Sequence, residues 1–297
     1  MTEVDLFQAH RPALFAVAYR MLGSATDAED VLQDAWLRFS SARPADLRSL
    51  KAYLTTIVTR LCLDRLKSAR ATREEYVGTW LPEPVATDDR REPERSLALT
   101  ESVTLAFIVL LETLSPEERA VFLLREVFDY EYDEIGGMLE MTPANCRQLF
   151  HRARGRIAER KPRFRATVED KRPLVERFVR AFSEGSEAEL TSVLAEDVGF
   201  WSDGGGKAAA ARRPIFGRDQ VVRLLVGIRR AAPANGVPLD SVTLDIVEVN
   251  GEPGLVLRAA GRLDGIYVMT VENDAITGIR VVRNPDKLTY IGRQLSH

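Results

Sequence analysis

Residues 130–157 read Tyr130-Glu-Tyr-Asp-Glu-Ile-Gly-Gly-Met-Leu-Glu-Met-Thr-Pro-Ala-Asn-Cys-Arg-Gln-Leu-Phe-His-Arg-Ala-Arg-Gly-Arg-Ile157, and no other stretch says more about the chain. The spacing predicts two short helices around a tight turn, the second one basic. Ile135, Met138 and Leu139 give the first helix its apolar side, and Gly136 and Gly137 are small enough for close packing. Thr142 is a good N-cap, and Pro143 suits the first helical position, where a missing N–H costs nothing. Cys146, Phe150, Ala153 and Ile157 then recur at i, i+4, i+7 and i+11 as a buried stripe. The other face carries Asn145, Arg147, Gln148, His151, Arg152 and Arg154. A helix in the DNA major groove needs this set: short polar groups for base edges, and guanidiniums for guanine and phosphate. An ordinary amphipathic helix with a solvated basic face has the same pattern, so the rest of the chain decides.

At 297 residues the chain should hold two or three domains, and its 45% hydrophobic and 29% charged residues are ordinary for a globular protein. A net charge of −3 suits a DNA binder only if the positive charge is concentrated. It is. Arg147, Arg152, Arg154, Arg156, Arg160, Lys161, Arg163 and Arg165 face the single acid Glu159, an electrostatic footprint of the kind nucleic acid demands. Acids elsewhere, such as the run at 27–34, would face a basic protein instead. Cys62 and Cys146 fall on predicted buried stripes and read as small core hydrophobes in a reducing compartment. Metal-ligand spacing is absent, and neither a metal nor a cofactor is expected. Glu3 and Asp5 precede any apolar run, unlike a signal peptide, and no stretch has the apolar length of a membrane span. A cytoplasmic protein without a membrane partner is expected.

Residues 5–70 are helical in period. One helix carries Leu14, Val17, Ala18 and Met21. The next, capped by Thr26, carries Val31, Ala35 and Phe39, and a third spans about 50–69. Residues 71–95, with Trp80-Leu-Pro-Glu-Pro84 and then Asp88-Asp-Arg-Arg-Glu-Pro93, read as a charged, proline-bearing linker. Helix resumes near 93–95, and Ser115-Pro-Glu-Glu118 marks a further start. From about 171 the pattern is mixed. Helices are expected over 172–183, 187–194 and 219–232, and strands over 198–203, 242–249, 255–263, 266–271 and 276–282. Asn250-Gly251 and Asp264-Gly265 are the turns of a β-meander.

With these pieces in this order, the chain resembles an extracytoplasmic-function sigma factor of the sigma-70 family. Tyr19-Arg-Met-Leu-Gly-Ser-Ala-Thr-Asp-Ala-Glu-Asp-Val-Leu-Gln-Asp-Ala-Trp-Leu-Arg-Phe39 resembles sigma region 2, and residues 115–158 resemble region 4 with its helix-turn-helix. The last third resembles a SnoaL-like (NTF2-like) conical domain. Trp80-Leu81-Pro82-Glu83-Pro84, Asp203-Gly204-Gly205-Gly206-Lys207 and Asn284-Pro285-Asp286-Lys287-Leu288 resemble signatures of the subgroup bearing that extension, the SigJ type. The resemblance implies two all-α sigma domains followed by an α+β domain: region 2 over 1–72, a linker over 73–96, region 4 over 97–166, and a SnoaL-like regulatory domain over 170–297.

It also implies partners, namely core RNA polymerase and promoter DNA, with no separate anti-sigma factor because the extension replaces one. Asp30, Gln33 and Asp34 lie off the Val31/Ala35 stripe and would dock on the polymerase; taken alone they also fit a solvated helix face. Arg43, Arg48, Lys51, Arg60 and Arg65 would meet the −10 element, with Tyr53 either a stacking ring there or a core aromatic. The recognition helix would enter the −35 element. Glycines at 204–206 permit close backbone approach, and Lys207 or Lys287 could meet Glu83, so the three strings are read as interdomain regulatory contacts.

Catalysis in the last domain is not expected. Asp197, Asp203, Asp245 and Asp264 lack a partner acid or histidine at dyad spacing. Asp203, followed by glycines, reads as a turn residue. An unidentified small ligand in this domain stays open. The other reading of the whole chain is a helix-turn-helix regulator fused to a ligand-sensing or cyclase-like domain.

Overall fold

The computed structural model describes residues 2–42, 49–74, 76–87, 104–158, 168–236 and 238–296. The chain divides into two compact units, residues 1–75 with 90–161, and residues 76–89 with 162–297. The residues between the sigma-like segments therefore belong in part with the C-terminal unit.

The N-terminal unit is all helix. α1 (Glu3–Leu22) starts at a Thr2 capping box and stops at Gly23, whose φ of 67° only glycine adopts cheaply. α2 (Ala25–Ala42) is capped by Ser24, whose hydroxyl accepts from the Asp27 amide at 3.0 Å; the expected cap, Thr26, lies inside the helix. α3 (Leu50–Glu74) packs on both, burying Leu54, Val58 and Cys62 against Phe15, Met21, Leu32 and Ala35. Then follow α4 (Leu105–Leu111), α5 (Pro116–Glu126) with a Ser115/Glu118 capping box, α6 (Tyr132–Leu139) and α7 (Pro143–Ala158). The helix start expected at 93–95 lies outside the described residues. Cys146, Phe150, Ala153 and Ile157 are all buried, and Leu149 joins them. Of the two glycines in α6, Gly136 is the one packing requires: a Cβ there would meet the Met141 carbonyl oxygen at 2.6 Å, whereas Gly137 faces open space.

The C-terminal unit is α+β. α8 (Val168–Glu184) and α9 (Glu187–Val193) lead into β1 (Leu194–Asp203) and the short β2 (Ile215–Phe216). α10 (Arg218–Ala231), β3 (Val242–Val249), β4 (Glu252–Ala259), β5 (Arg262–Glu272), β6 (Ala275–Val282) and α11 (Pro285–Gln294) complete it. The sheet order is β2-β1-β6-β5-β4-β3, with β1 and β6 parallel and every other pair antiparallel. α8, α9 and α10 cover one face, where Phe178, Leu190 and Leu225 meet Phe200, Tyr267, Met269 and Ile279. The alternate residues Trp201, Thr270 and Arg280 point to the other face by the two-residue period, and there Arg280 stacks 4.6 Å from the Trp201 ring and donates to Thr270 at 2.9 Å.

One turn lies elsewhere than the sequence predicts. Asn250-Gly251 (φ 55° and 68°) does join β3 to β4. The β4–β5 turn, however, is Ala260-Gly261 (φ 48° and 74°), and Asp264-Gly265 lies within β5 at a register shift. Tertiary contacts explain this. Asp264 accepts two hydrogen bonds from Arg283, at 3.0 and 2.8 Å, and a Cβ at residue 265 would press on the Arg283 side chain at 3.2 Å.

Glu252, at 3% exposure, is a buried acid beneath this face. Burial raises its carboxyl above the ordinary range, while the Arg280 charge pulls it down. Burial in turn lowers the Arg280 guanidinium. Arg280→Leu is expected to cost about 3–5 kcal/mol near neutral pH by stranding the carboxylate. An acid whose folded pKa is raised disfavours the fold as pH rises, so the deficit should shrink as the pH is lowered and Glu252 takes up a proton. Urea unfolding near neutral pH and at a lower pH checks this; an equal deficit at both would assign the loss to packing on Trp201 alone.

Candidate functional site

α7 presents Asn145, Arg147, Gln148, His151 and Arg154 as exposed side chains opposite its buried stripe. The Thr142 hydroxyl accepts from the Asn145 amide at 3.2 Å, which caps the helix where the sequence predicts. Arg147 lies 5.4 Å from the Tyr132 ring, a stacking that holds the guanidinium at the helix surface. Arg152 departs from the expectation. Its Nε lies 3.2 Å from Glu118, an acid only 3% exposed that Arg156 also engages at 2.6 Å. Arg152 is thus committed to a buried carboxylate of α5, which that carboxylate requires to be stable.

The residues expected at the −10 element and the polymerase are also engaged. Arg65 bridges three acids of α2, Asp27 at 3.1 Å, Asp30 at 3.5 Å and Asp34 at 3.6 Å, so these acids are not the free carboxylates the sequence suggests. The pairs are half exposed, which makes them weak and displaceable. Gln33 is exposed beside them. Arg60 reaches across to α6. Its Nε donates to the Met138 carbonyl at 2.8 Å and its guanidinium pairs with Glu140 at 2.9 Å, neutralising the negative end of that helix. Thr55 and Tyr130 share a hydrogen bond at 3.1 Å, with Lys51 6.0 Å from the Tyr130 ring. Tyr53 is half-buried on α3. Arg43 and Arg48 lie outside the described residues.

In the C-terminal unit the three sequence strings converge on one carboxylate. Asp203 is fully buried. It accepts from the Leu81 amide at 2.8 Å, the Gly205 amide at 3.0 Å, the Tyr76 hydroxyl, and the Lys287 ammonium at 2.7 Å. Lys287 also donates to the Leu81 carbonyl at 2.6 Å and lies 4.7 and 4.4 Å from the Tyr76 and Trp80 rings. Asn284 caps α11 and donates to the Tyr76 hydroxyl at 2.9 Å. Gly205, at φ 56°, has no room for a side chain, since a Cβ would lie 2.2 Å from Asn284 Nδ2. Residues 81–87, including Pro82, Glu83 and Pro84, are all buried.

Two details differ from the sequence reading. Lys287 meets Asp203, and Lys207 meets Asp286, partners beyond the Glu83 that the sequence suggests. Asp203 is more than a turn residue, because its carboxylate joins the other two strings. Sequence reasoning missed Tyr76, Thr87, Asn250 and Gln294. Asn250 accepts from the Val85 amide at 3.0 Å and returns its own N–H to the Val85 carbonyl at 2.9 Å. Thr87 donates to Glu248 at 2.8 Å, and Gln294 accepts from the Ala86 amide at 3.0 Å. Nothing local in the sequence signals these partners.

Among the described residues no cluster of acids, histidines and cysteines could hold a metal, and no helix is long and apolar enough to cross a membrane. Residues 6–72 match the family model for sigma-70 region 2, and residues 104–157 that for sigma-70 region 4. The ECF RNA polymerase sigma factor SigJ of Mycobacterium tuberculosis is 36% identical over 301 residues, covering 97% of this chain and 93% of that protein. The crystal structure of M. tuberculosis SigJ matches with a TM-score of 0.78 at 34% identity, over 97% of this chain and 99% of the other. The sigma factor RpoE of Bartonella quintana, solved with the anti-sigma factor NepR, matches 52% of this chain at 20% identity and a TM-score of 0.39, over 95% of its own.

Lys287→Met should cost about 3–5 kcal/mol, since it leaves Asp203 charged and buried without its cation. Asp203→Asn combined with Lys287→Met should cost less than the two single changes together, by about 1–3 kcal/mol. Guanidinium unfolding of the four proteins measures this; strictly additive losses would mean that the two groups are not a coupled pair.

Proposed function

The chain belongs to the extracytoplasmic-function sigma factors, promoter-specificity subunits of RNA polymerase, and from that premise we propose how its surfaces divide the work. α7 reads the −35 element from the major groove with Asn145, Arg147, Gln148, His151 and Arg154, and α3 meets the −10 element with Lys51, Arg60 and Tyr53. Asp30, Gln33 and Asp34 dock on core polymerase, with Arg65 released from them on binding. The observation that carries this reading is the exposed polar face of α7 set opposite a fully buried stripe. Region 2, which a repressor would not need, runs against the reading of a fused helix-turn-helix regulator.

The arrangement of the N-terminal unit is a closed one. Promoter elements about 25 base pairs apart lie on the order of 85 Å apart in B-DNA, at about 3.4 Å per pair. Arg60 of region 2 touches α6 of region 4 at 2.8 Å, so the two regions must part before both elements can be read. The C-terminal domain governs that step through the chain itself. Residues 76–87 join region 2 to region 4, and the domain holds them by Asp203, Lys287, Asn250 and Gln294. While they are held, these residues cannot extend to let the regions part; release makes that length of chain available.

The domain is read as a regulator without catalysis. Asp203 is saturated with donors and Asp264 is paired with Arg283, which leaves neither ready to take a proton from a substrate. Control in cis does not preclude a separate anti-sigma factor, such as the one that RpoE of B. quintana binds. The protein acts in the cytoplasm, where core polymerase works.

Run-off transcription with core polymerase tests the assignment. Arg147→Ala should lose about 1–3 kcal/mol of binding and relax preference at one position of the −35 element; unchanged affinity and preference would remove α7 from the groove. The paired change Asp203→Ala with Lys287→Met strands neither charge and should raise transcription severalfold by freeing the linker. Wild-type output from a folded double variant would make the third domain a passenger.

A further inference from the structure

α11 works on two sides. One side grips the linker through Lys287, and through Gln294, which accepts from the Ala86 amide at 3.0 Å and donates to its carbonyl at 3.3 Å. The other side, with Leu288, Thr289 and Gly292, lines a groove of about 520 Å³ against the β4–β5 turn and the loop after the glycines. That volume is within the range of small-molecule sites, about 300–1,000 Å³.

Three features define what would fit. Small residues stand at its walls, Ala208, Ala259 and Gly292, and leave room for a ligand. Its floor is apolar where Leu263 and Leu288 face it. Its charge is positive on balance. Arg283 is neutralised by both oxygens of Asp264, and its Nε is buried with no acceptor, whereas Arg262 is exposed and has no ion pair among the described residues. A neutral apolar molecule would leave Arg262 unused, and a cation would be repelled by it.

We propose that this groove binds a small anionic amphiphile, an aromatic or branched apolar body bearing one acidic group, and that occupancy changes how firmly α11 holds residues 76–87. The site is distinct from the helix-covered face of the sheet, which Phe178, Tyr267 and Met269 fill. The linker half of the proposal rests on the cis-control reading above. Leu288, which the ligand would touch, is the next residue after Lys287, so a shift of α11 moves the ammonium that holds Asp203 and the Leu81 carbonyl. A ligand shifts such an equilibrium only by its difference in affinity for the two positions of the helix.

The test uses the full chain and the probe 8-anilinonaphthalene-1-sulfonate, an anionic aromatic. Fluorescence titration should show one saturable site, weakened roughly tenfold or more by Arg262→Glu and by Thr289→Trp, which fills the groove, with circular dichroism unchanged. Phe216→Ser, which removes an exposed ring at the β2 edge, should leave binding intact. Hydrogen exchange at the Leu81, Val85 and Ala86 amides should change by about threefold or more on saturation, and not in Arg262→Glu. Absence of saturable binding, or binding lost only in Phe216→Ser, overturns the site. Binding that follows the groove variants while linker exchange stays constant overturns the coupling. Neither result touches cis control, which the paired change at Asp203 and Lys287 tests without a ligand.

Discussion

A carboxylate with no access to water organises the C-terminal half of this protein. Asp203 could not be buried alone, since an unpaired ion in a low-dielectric interior is among the costliest features a fold can carry. Lys287 supplies the opposing charge, and the Leu81 and Gly205 amides with the Tyr76 hydroxyl fill the remaining acceptor sites. The four donors come from three places: the linker, the glycine turn and the last helix. None of the three can settle without the others, and the strings WLPEP, DGGGK and NPDKL are parts of one contact. The glycines serve it by letting backbone reach the carboxylate and Asn284.

The N-terminal unit shows the same economy of charge with a weaker grip. Arg60 seats on the end of α6, Arg65 lies across the α2 acids, and Arg152 with Arg156 turns back to Glu118. Arg60 and the α2 acids under Arg65 are among the groups proposed above to meet DNA and polymerase. In the free chain they are spent on one another. Apart from the pairs on the buried Glu118, hydrogen bonds and half-exposed pairs of this kind are worth about 1 kcal/mol each or less. A large partner can exchange them one by one, whereas the Asp203 contact has no such low-cost way out. The difference in strength makes the linker, more than the region 2–region 4 contact, the point at which control would act.

The helix-turn-helix was legible because everything that forms it is local. The Thr142 cap, the Pro143 start and the Cys146/Phe150/Ala153/Ile157 stripe depend on residues a few positions apart, and they appear where the spacing places them. Order and type of the last strands followed from alternation in the same way. The Asp264-Gly265 turn failed because its sequence is a good turn and a good bulge alike, and Arg283, 19 residues away, chose the bulge.

The sequence by itself thus determined the helices, the meander, the place of positive charge on α7 and the three strings that mattered. Only the tertiary structure decided what those strings do together. Asp203 finds Tyr76, Leu81 and Lys287 at separations of 127, 122 and 84 residues, distances over which no periodicity carries information. Whether Arg60 faces DNA or the end of α6, and whether Asp30 and Asp34 stand free or under Arg65, was likewise open in the sequence. A charged side chain on a helix surface declares that it needs a partner, and the fold chooses which one.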